Sequence, residues 1–316
     1  SDMINKMAIP LIFLATFCFA IQDAVIKILS NSGSLWQLML LRALIVVTIL
    51  FLLSKSFYKS SSILPNGWFW PILRGIFMSC AYTFFYCSLP FVSLSKAATC
   101  FFTAPIFICI FSSIILKETI GWRRVSAVLI GFIGVLVIIR PGTENVNLIL
   151  ILPLLAGVCY ALAQIITRGF CQRQSSFSLT FSHNILYALL GFLMVSVLAV
   201  LPFPEELLTI NPFLFTGWFP LTNEILLLIG ATSLTHIVAL TATIRAYQTA
   251  ETSFVAPLEY FYLIFVALVD YALWKVIPEF SVVIGIVLIM VSGIIISLRE
   301  DIKKRKFNDR EVKAQY

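Results

Sequence analysis

Glu259 stands in a strongly apolar stretch, two residues after Pro257, with no basic residue within four positions on either side. A charged side chain at membrane depth costs about 2.5–3.5 kcal/mol on insertion scales. Its retention points to one of two tasks: holding a cationic or amine group of a substrate, or carrying a coupling proton. At helical spacing Glu259, Tyr262, Leu263, Val266 and Asp270 share a face, which sets two acids about three turns apart on one stripe. Asp23 and Lys27 stand at i, i+4 with the acid first, the favourable order for an ion pair along a helix. Such a pair offsets part of its own insertion cost, so a structural pairing is preferred there to substrate contact. Gln22, one residue earlier and uncharged, is a candidate hydrogen-bonding ligand.

His236 shares a helix face with Ala239, Leu240, Thr243 and Tyr247. Two readings stand side by side: a neutral imidazole bonded to a hydroxyl, or a partner for Glu259. Tyr82 and Tyr86 are at i, i+4, as are Tyr160 and Gln164, and Phe101 and Phe102 come just before Pro105. Aromatic pairs at this spacing ordinarily belong to the core. If several of them line a cavity, their rings together with Glu259 fit an amine-bearing aromatic or nucleoside-like metabolite. Arg42 and Arg74 lie near the ends of apolar runs, where long side chains reach lipid headgroups.

The elements that position these residues follow from composition. Of 316 residues 60% are hydrophobic and 12% charged, with a mean hydropathy of +1.00, whereas soluble domains are roughly 45–50% apolar and 25% charged. A soluble enzyme and a disordered chain are both excluded. The seven cysteines show no paired spacing, so neither a disulfide framework nor a metal site is expected. Ten apolar segments are long enough to cross the hydrocarbon as helices, at about 8–30, 35–54, 70–92, 95–116, 123–140, 148–170, 179–201, 223–247, 252–274 and 279–298. The first is too long and too polar for a cleaved signal peptide.

Most Lys and Arg residues, among them Lys55, Lys59, Lys117, Arg123, Arg124, Arg168 and Arg173, fall on one side if the N-terminus is cytoplasmic. Lys96, Arg140 and Lys275 fall on the other. That asymmetry sets both termini inside, and all six Trp fall at or beyond span edges as interfacial anchors. The basic tail, 301–316, reads as a cytoplasmic end facing lipid headgroups rather than nucleic acid.

Residues 98–105 resemble 250–257, and Leu129, Ile130 and Gly134 match Leu288, Ile289 and Gly293. Each half, 1–142 and 143–300, therefore holds five spans. Because five is odd, the second half enters the membrane inverted, and the expected architecture is all-α: ten transmembrane helices as two inverted five-helix repeats around a central cavity. Pro105 and Pro257 open the fourth span of each half, and each frees the carbonyl four residues earlier, at Phe101 and Ser253. Such carbonyls are tolerated beside another helix, a polar side chain or a wet cavity. The 21-residue segment from Pro202 to Thr222 is expected outside, as an interfacial cover over one cavity mouth.

Taken together, these features resemble the EamA-type ten-helix members of the drug/metabolite transporter superfamily over nearly the whole chain. The resemblance is carried by Asp23 to Lys27, Gln37 to Arg42, Arg74-Gly75, Ala104-Pro105, Leu116-Lys117-Glu118 with Gly121 to Arg124, Gly131 to Gly134, Arg140-Pro141-Gly142, Ala256 to Tyr260, Pro278, Gly285 and Gly293. Trp274 to Pro278 departs from it, since many relatives have a Phe-Gly-acid-x-Pro turn there. The resemblance implies a secondary transporter with a cavity lined by spans one, three, four, six, eight and nine. It makes span seven, with His183, Asn184 and Tyr187, peripheral packing. Similar proteins carry substrates as varied as amino acids, S-adenosylmethionine, riboflavin and nucleotide sugars.

The expected protein is a multi-pass carrier of a bacterial inner membrane, monomer or homodimer, alternating access to a small polar metabolite. It needs no cofactor, and its partners are that solute and membrane lipid. Small-xxx-small pairs such as Ala127 with Gly131 suit close helix contact within or between copies. A lipid-headgroup flippase is the next alternative. An intramembrane enzyme ranks last, because no HExxH, paired-acid motif or nucleophile with an adjacent base is present.

Overall fold

A chain in hydrocarbon has no water to satisfy its backbone, so each apolar segment closes its own N–H and C=O groups by coiling. The computed structural model describes residues 2–57, 63–117, 122–139, 148–201, 204–250, 252, 255, 258–288 and 290–291. Among them every regular element is helical. The helices are α1 (Asp2–Leu29), α2 (Leu35–Phe57), α3 (Phe69–Ser88), α4 (Leu94–Phe101), α5 (Ala104–Ile115), α6 (Trp122–Ile139), α7 (Ile151–Phe170), α8 (Ser176–Val200), α9 (Glu205–Ile210), α10 (Pro212–Phe215), α11 (Asn223–Thr249) and α12 (Phe261–Trp274). Residues 280–288 form α13.

Among the described residues six stretches are long and apolar enough to cross a membrane: Met7–Leu29, Leu35–Ser54, Leu94–Ile115, Leu148–Phe170, Ser176–Val200 and Asn223–Thr249. Their outer faces carry Phe13, Phe17, Leu52, Leu189, Phe192, Leu193, Leu227 and Leu234 in the open. Water would not tolerate an apolar surface of that extent, but lipid does. The chain is an integral membrane protein.

α1 packs along α11 and α12, α3 along α7 and α8, and α2 along α8 and α11. α4 and α5 lie against α7, and α4 also meets α12. Gly191 permits the α2–α8 approach: a Cβ there would stand 2.8 Å from Leu40 N and 3.0 Å from Trp36 O.

The fourth apolar stretch is two helices rather than one. α4 ends at Phe101 and α5 begins at Ala104, so Pro105 occupies the first turn of a new helix, where its missing N–H costs nothing. The expected kink is a break. Gly157 of α7 seats against it, since a Cβ there would be 2.6 Å from Phe101 O and 3.3 Å from Thr103 Oγ1. Pro257 lies outside the described residues, but the chain after it also departs from helix: Glu259 and Tyr260 form a turn that leads into α12.

The described part of the segment before α11, expected as a cover over a cavity mouth, is bonded to the start of α2. Of its two short helices, α10 lies against α2 and α9 against α10. Trp36 Nε1 donates to Leu214 O at 2.7 Å, Gln37 Nε2 to Phe219 O at 2.9 Å, and Phe219 N returns a bond to Gln37 Oε1 at 3.1 Å. Trp36 is therefore buried at 8% exposure, while Trp68, Trp70, Trp122 and Trp218 stay exposed as anchors.

Lys117 and Lys275 are the non-glycine residues with positive φ among those described, at 56° and 54°. Each follows the helix that closes a fourth apolar stretch. Lys275 takes the position at which the related turn carries glycine, and the left-handed conformation explains that preference.

Candidate functional site

Between α1, α3, the α4–α5 break, α7, α11 and the turn before α12 lies a cavity enclosing about 560 Å³ of space free of protein atoms, its mouth included. Its walls are aromatic: Phe19, Tyr82, Phe85, Phe101, Phe102 and Tyr160, with Tyr262. Thr16, Met78, Ala81 and Thr243 fill the gaps. Two carboxylates reach it, Asp23 and Glu259, 6% and 5% exposed.

A tyrosine from another element holds each carboxylate. Tyr160 Oη of α7 donates to Glu259 Oε1 at 2.5 Å, and Tyr262 Oη of α12 donates to Asp23 Oδ2 at 2.5 Å. The other Asp23 oxygen accepts from Tyr86 Oη at 3.2 Å and Gln22 Nε2 at 3.4 Å. Bonds to an ionised acceptor are roughly twice as strong as neutral ones, so both acids are fixed in direction without being neutralised by a base.

Behind the wall the polar network continues. Gln22 Nε2 donates to Tyr86 Oη at 2.8 Å, and its Oε1 faces His236 Nδ1 at 3.2 Å. An amide oxygen can only accept, so His236 carries its proton on Nδ1 and offers Nε2 to Asn184 Nδ2 at 3.4 Å. His236 is thus a buried neutral imidazole serving Gln22, not the partner of Glu259.

Asp23 and Lys27 do not pair. Lys27 Nζ instead donates to Leu89 O at 3.1 Å and Val92 O at 2.9 Å, where α3 ends. The i, i+4 rule failed because a ring of donors from α3 and α12 outcompetes one lysine of the same helix.

Asp270 is fully buried at the far end of α12, where Oδ2 accepts from Ser95 N at 2.7 Å and Ser95 Oγ at 2.5 Å, pinning the start of α4. All five members of the Glu259 stripe are buried. Gln164 is buried one turn below Tyr160, away from the cavity lining, and neither of its amide atoms has a partner.

Arg42 and Arg74 overturn the expectation of headgroup anchoring: both are fully buried. Arg74 Nε donates to Thr167 Oγ1 at 2.7 Å across the α3–α7 contact. Arg42 sits among Tyr82, Tyr86 and Tyr187. α8 packs His183 and Asn184 inward, and its Tyr187 flanks the same guanidinium. Sequence reading missed Thr16, Phe19, Met78, Ala81 and Phe85. Helical spacing from Asp23 and Tyr82 reaches Thr16, Phe19, Met78 and Phe85, so extending those faces by one or two turns would have found them, whereas Ala81 is the chain neighbour of Tyr82.

This arrangement defines a class, a helical membrane protein with a polar, aromatic-walled site enclosed among its spans. Residues 6–140 match the EamA-like transporter family. An uncharacterized transporter of Helicobacter pylori is 26% identical over 94% of this chain and 97% of its own. An S-adenosylmethionine uptake transporter of Rickettsia prowazekii is 24% identical over 77% and 76%, and the pseudopaline exporter CntI of Pseudomonas aeruginosa is 24% identical over 92% and 96%. One solved crystal structure, described only as that of a protein, shares the fold with a TM-score of 0.63 at 15% identity, over 94% of this chain and 98% of that one. Through residues 6–140 the chain is similar to the EamA-like transporters, and these named relatives are transporters of the drug/metabolite transporter superfamily. It is a transporter and not an enzyme.

Proposed function

We infer that the protein is a secondary carrier that alternates access to the cavity and moves a small polar metabolite bearing a positive charge and a planar ring. The observation that carries this reading is the cavity itself: two tyrosine-held carboxylates, in no ion pair with a base among the described residues, between aromatic faces. A cation gains from the acids and from the rings together. The ligands proposed are the lining residues Tyr82, Phe101, Phe102, Tyr160, Glu259 and Tyr262, with Gln22, Tyr86 and His236 supporting them from behind the wall; Gln164, a candidate from sequence, lies away from it. Lys27, Asp270 and the two prolines have structural or coupling roles, and Asp23 joins such a role to its place on the cavity wall. S-adenosylmethionine combines sulfonium, amine and adenine, and relatives named for its uptake make it the first probe.

The same reading holds that ten spans form two inverted repeats, 1–142 and 143–300, in a bacterial inner membrane with both termini and the 301–316 tail cytoplasmic. Packing supports it. Exchanging each helix for its counterpart five spans away turns the α1–α11 contact into the α7–α3 contact and α1–α12 into α7 with α4 and α5, while α2–α8 and α4–α12 map onto themselves. The two left-handed lysines, Lys117 and Lys275, occupy matching turns. With five spans per half, such symmetry requires inversion.

Purified protein in liposomes tests the function. Trans-loaded S-adenosylmethionine should accelerate uptake of the labelled compound, and Glu259→Gln should weaken its binding by about 10- to 100-fold, the worth of one charge-assisted bond. Movement of lipid alone, or a Glu259→Gln carrier with wild-type affinity and wild-type pH dependence, would overturn the proposal.

A further inference from the structure

Arg42 carries a charge that the fold leaves partly unanswered. Its Nη1 donates to Tyr86 Oη at 3.3 Å, whereas Nε and Nη2 meet no hydrogen-bond acceptor among the described residues although the residue is fully buried. Tyr82, Tyr86 and Tyr187 face the guanidinium at 5.4, 5.5 and 5.1 Å. Those rings favour a cation but accept no N–H bond along its edge. Among the described residues no carboxylate stands within ion-pair distance of it. Nε and Nη2 are the two donors of one guanidinium edge, the edge that grips a carboxylate with parallel bonds.

Tyr86 links this group to the cavity. Its hydroxyl donates to Asp23 Oδ1 at 3.2 Å and accepts from Arg42, so acid and base are one hydroxyl apart. Asp23 and Tyr82 line the cavity, which leaves Tyr82 and Tyr86 as the partition between the guanidinium and the space. An α-amino acid head makes the same two bonds that the hydroxyl makes, its ammonium donating to a carboxylate and its own carboxylate accepting from a guanidinium.

We propose that this end of the cavity is an α-amino acid subsite, with the ammonium on Asp23 and the carboxylate on Arg42 once the Tyr86 phenol swings aside. Glu259, at the other carboxylate position, then takes a second positive charge on the same molecule. The subsite rests on the carrier reading above and narrows it: the cargo is a zwitterionic amino acid whose side chain adds a cation, not a simple amine or a nucleoside.

Binding of labelled S-adenosylmethionine, of its decarboxylated analogue and of methionine to the purified full-length protein and to Arg42→Gln decides the matter. The wild type should prefer S-adenosylmethionine to the decarboxylated form by about tenfold or more. Arg42→Gln should lose about tenfold or more for the first and stay within about twofold for the second, which also shows that the variant is folded. Equal losses for both probes, or no wild-type preference, would overturn the subsite while leaving the carrier intact. If Arg42→Gln binds neither probe, Arg42→Lys replaces it with the same expected loss of preference; an unchanged preference in that variant also overturns the subsite. A wild type that ignores both nucleosides but binds methionine through Arg42 keeps the amino acid subsite and overturns both the ring and the second positive charge of the cargo. Binding of none of the three overturns the subsite.

Discussion

Gly157→Ala should damage the break between α4 and α5 more than any neighbouring small substitution. The added Cβ would meet Phe101 O at 2.6 Å and Ala104 N at 3.5 Å, backbone atoms that cannot rotate away as a side chain would. Either α7 retreats or the break closes, and both displace Phe101 and Tyr160 at the cavity wall. Overpacking of this kind costs about 1–3 kcal/mol, against a gain of about 0.5–1 kcal/mol from replacing a helical glycine. Gly230→Ala is the matched control, because a Cβ there meets nothing within 4 Å. Thermal unfolding of the detergent-purified variants should place Gly157→Ala below wild type, with Gly230→Ala at or above it. At about 2–4 °C per kcal/mol for chains approaching this size, the two should differ by several degrees. A Gly157→Ala protein as stable as its control, with unaltered ligand binding, would refute the seating of Gly157 against the break.

Two further outcomes follow from the ends of helices. Asp270→Ala removes the acceptor for both Ser95 groups inside the protein and should cost about 2–3 kcal/mol, while Ser95→Ala, which keeps the backbone bond, should cost about 1 kcal/mol; equal midpoints for the two would exclude the capping role. Lys117→Gly relieves a left-handed backbone at φ 56° and should raise the thermal midpoint by the equivalent of about 1 kcal/mol, so that a lowered midpoint contradicts the strain.

Hydropathy located the apolar stretches well because lipid leaves the chain little choice of backbone, and the ends of α7 and α11 fall within a few residues of the expected spans. Rotation about a helix axis was not legible in the same way. Arg42 lies two turns into α2, within reach of headgroups by length, yet the α8 and α3 contacts turn it inward among tyrosines. The Asp23 network failed to emerge for a related reason. Spacing along one helix reveals Lys27 at once, while Tyr86 and Tyr262 are 63 and 239 residues away in the chain. Glu259 was conspicuous because nothing local could partner it, and the structure supplies a partner from α7.

The two hydrogen bonds between the Gln37 amide and the Phe219 backbone tie the stretch around α9 and α10 to the first turn of α2. That stretch should travel as a handle on α2 whenever the helices rearrange. A fluorophore attached at the exposed Glu206 would then report tilting of α2 during turnover, so transport could be timed from outside the cavity without disturbing the cargo.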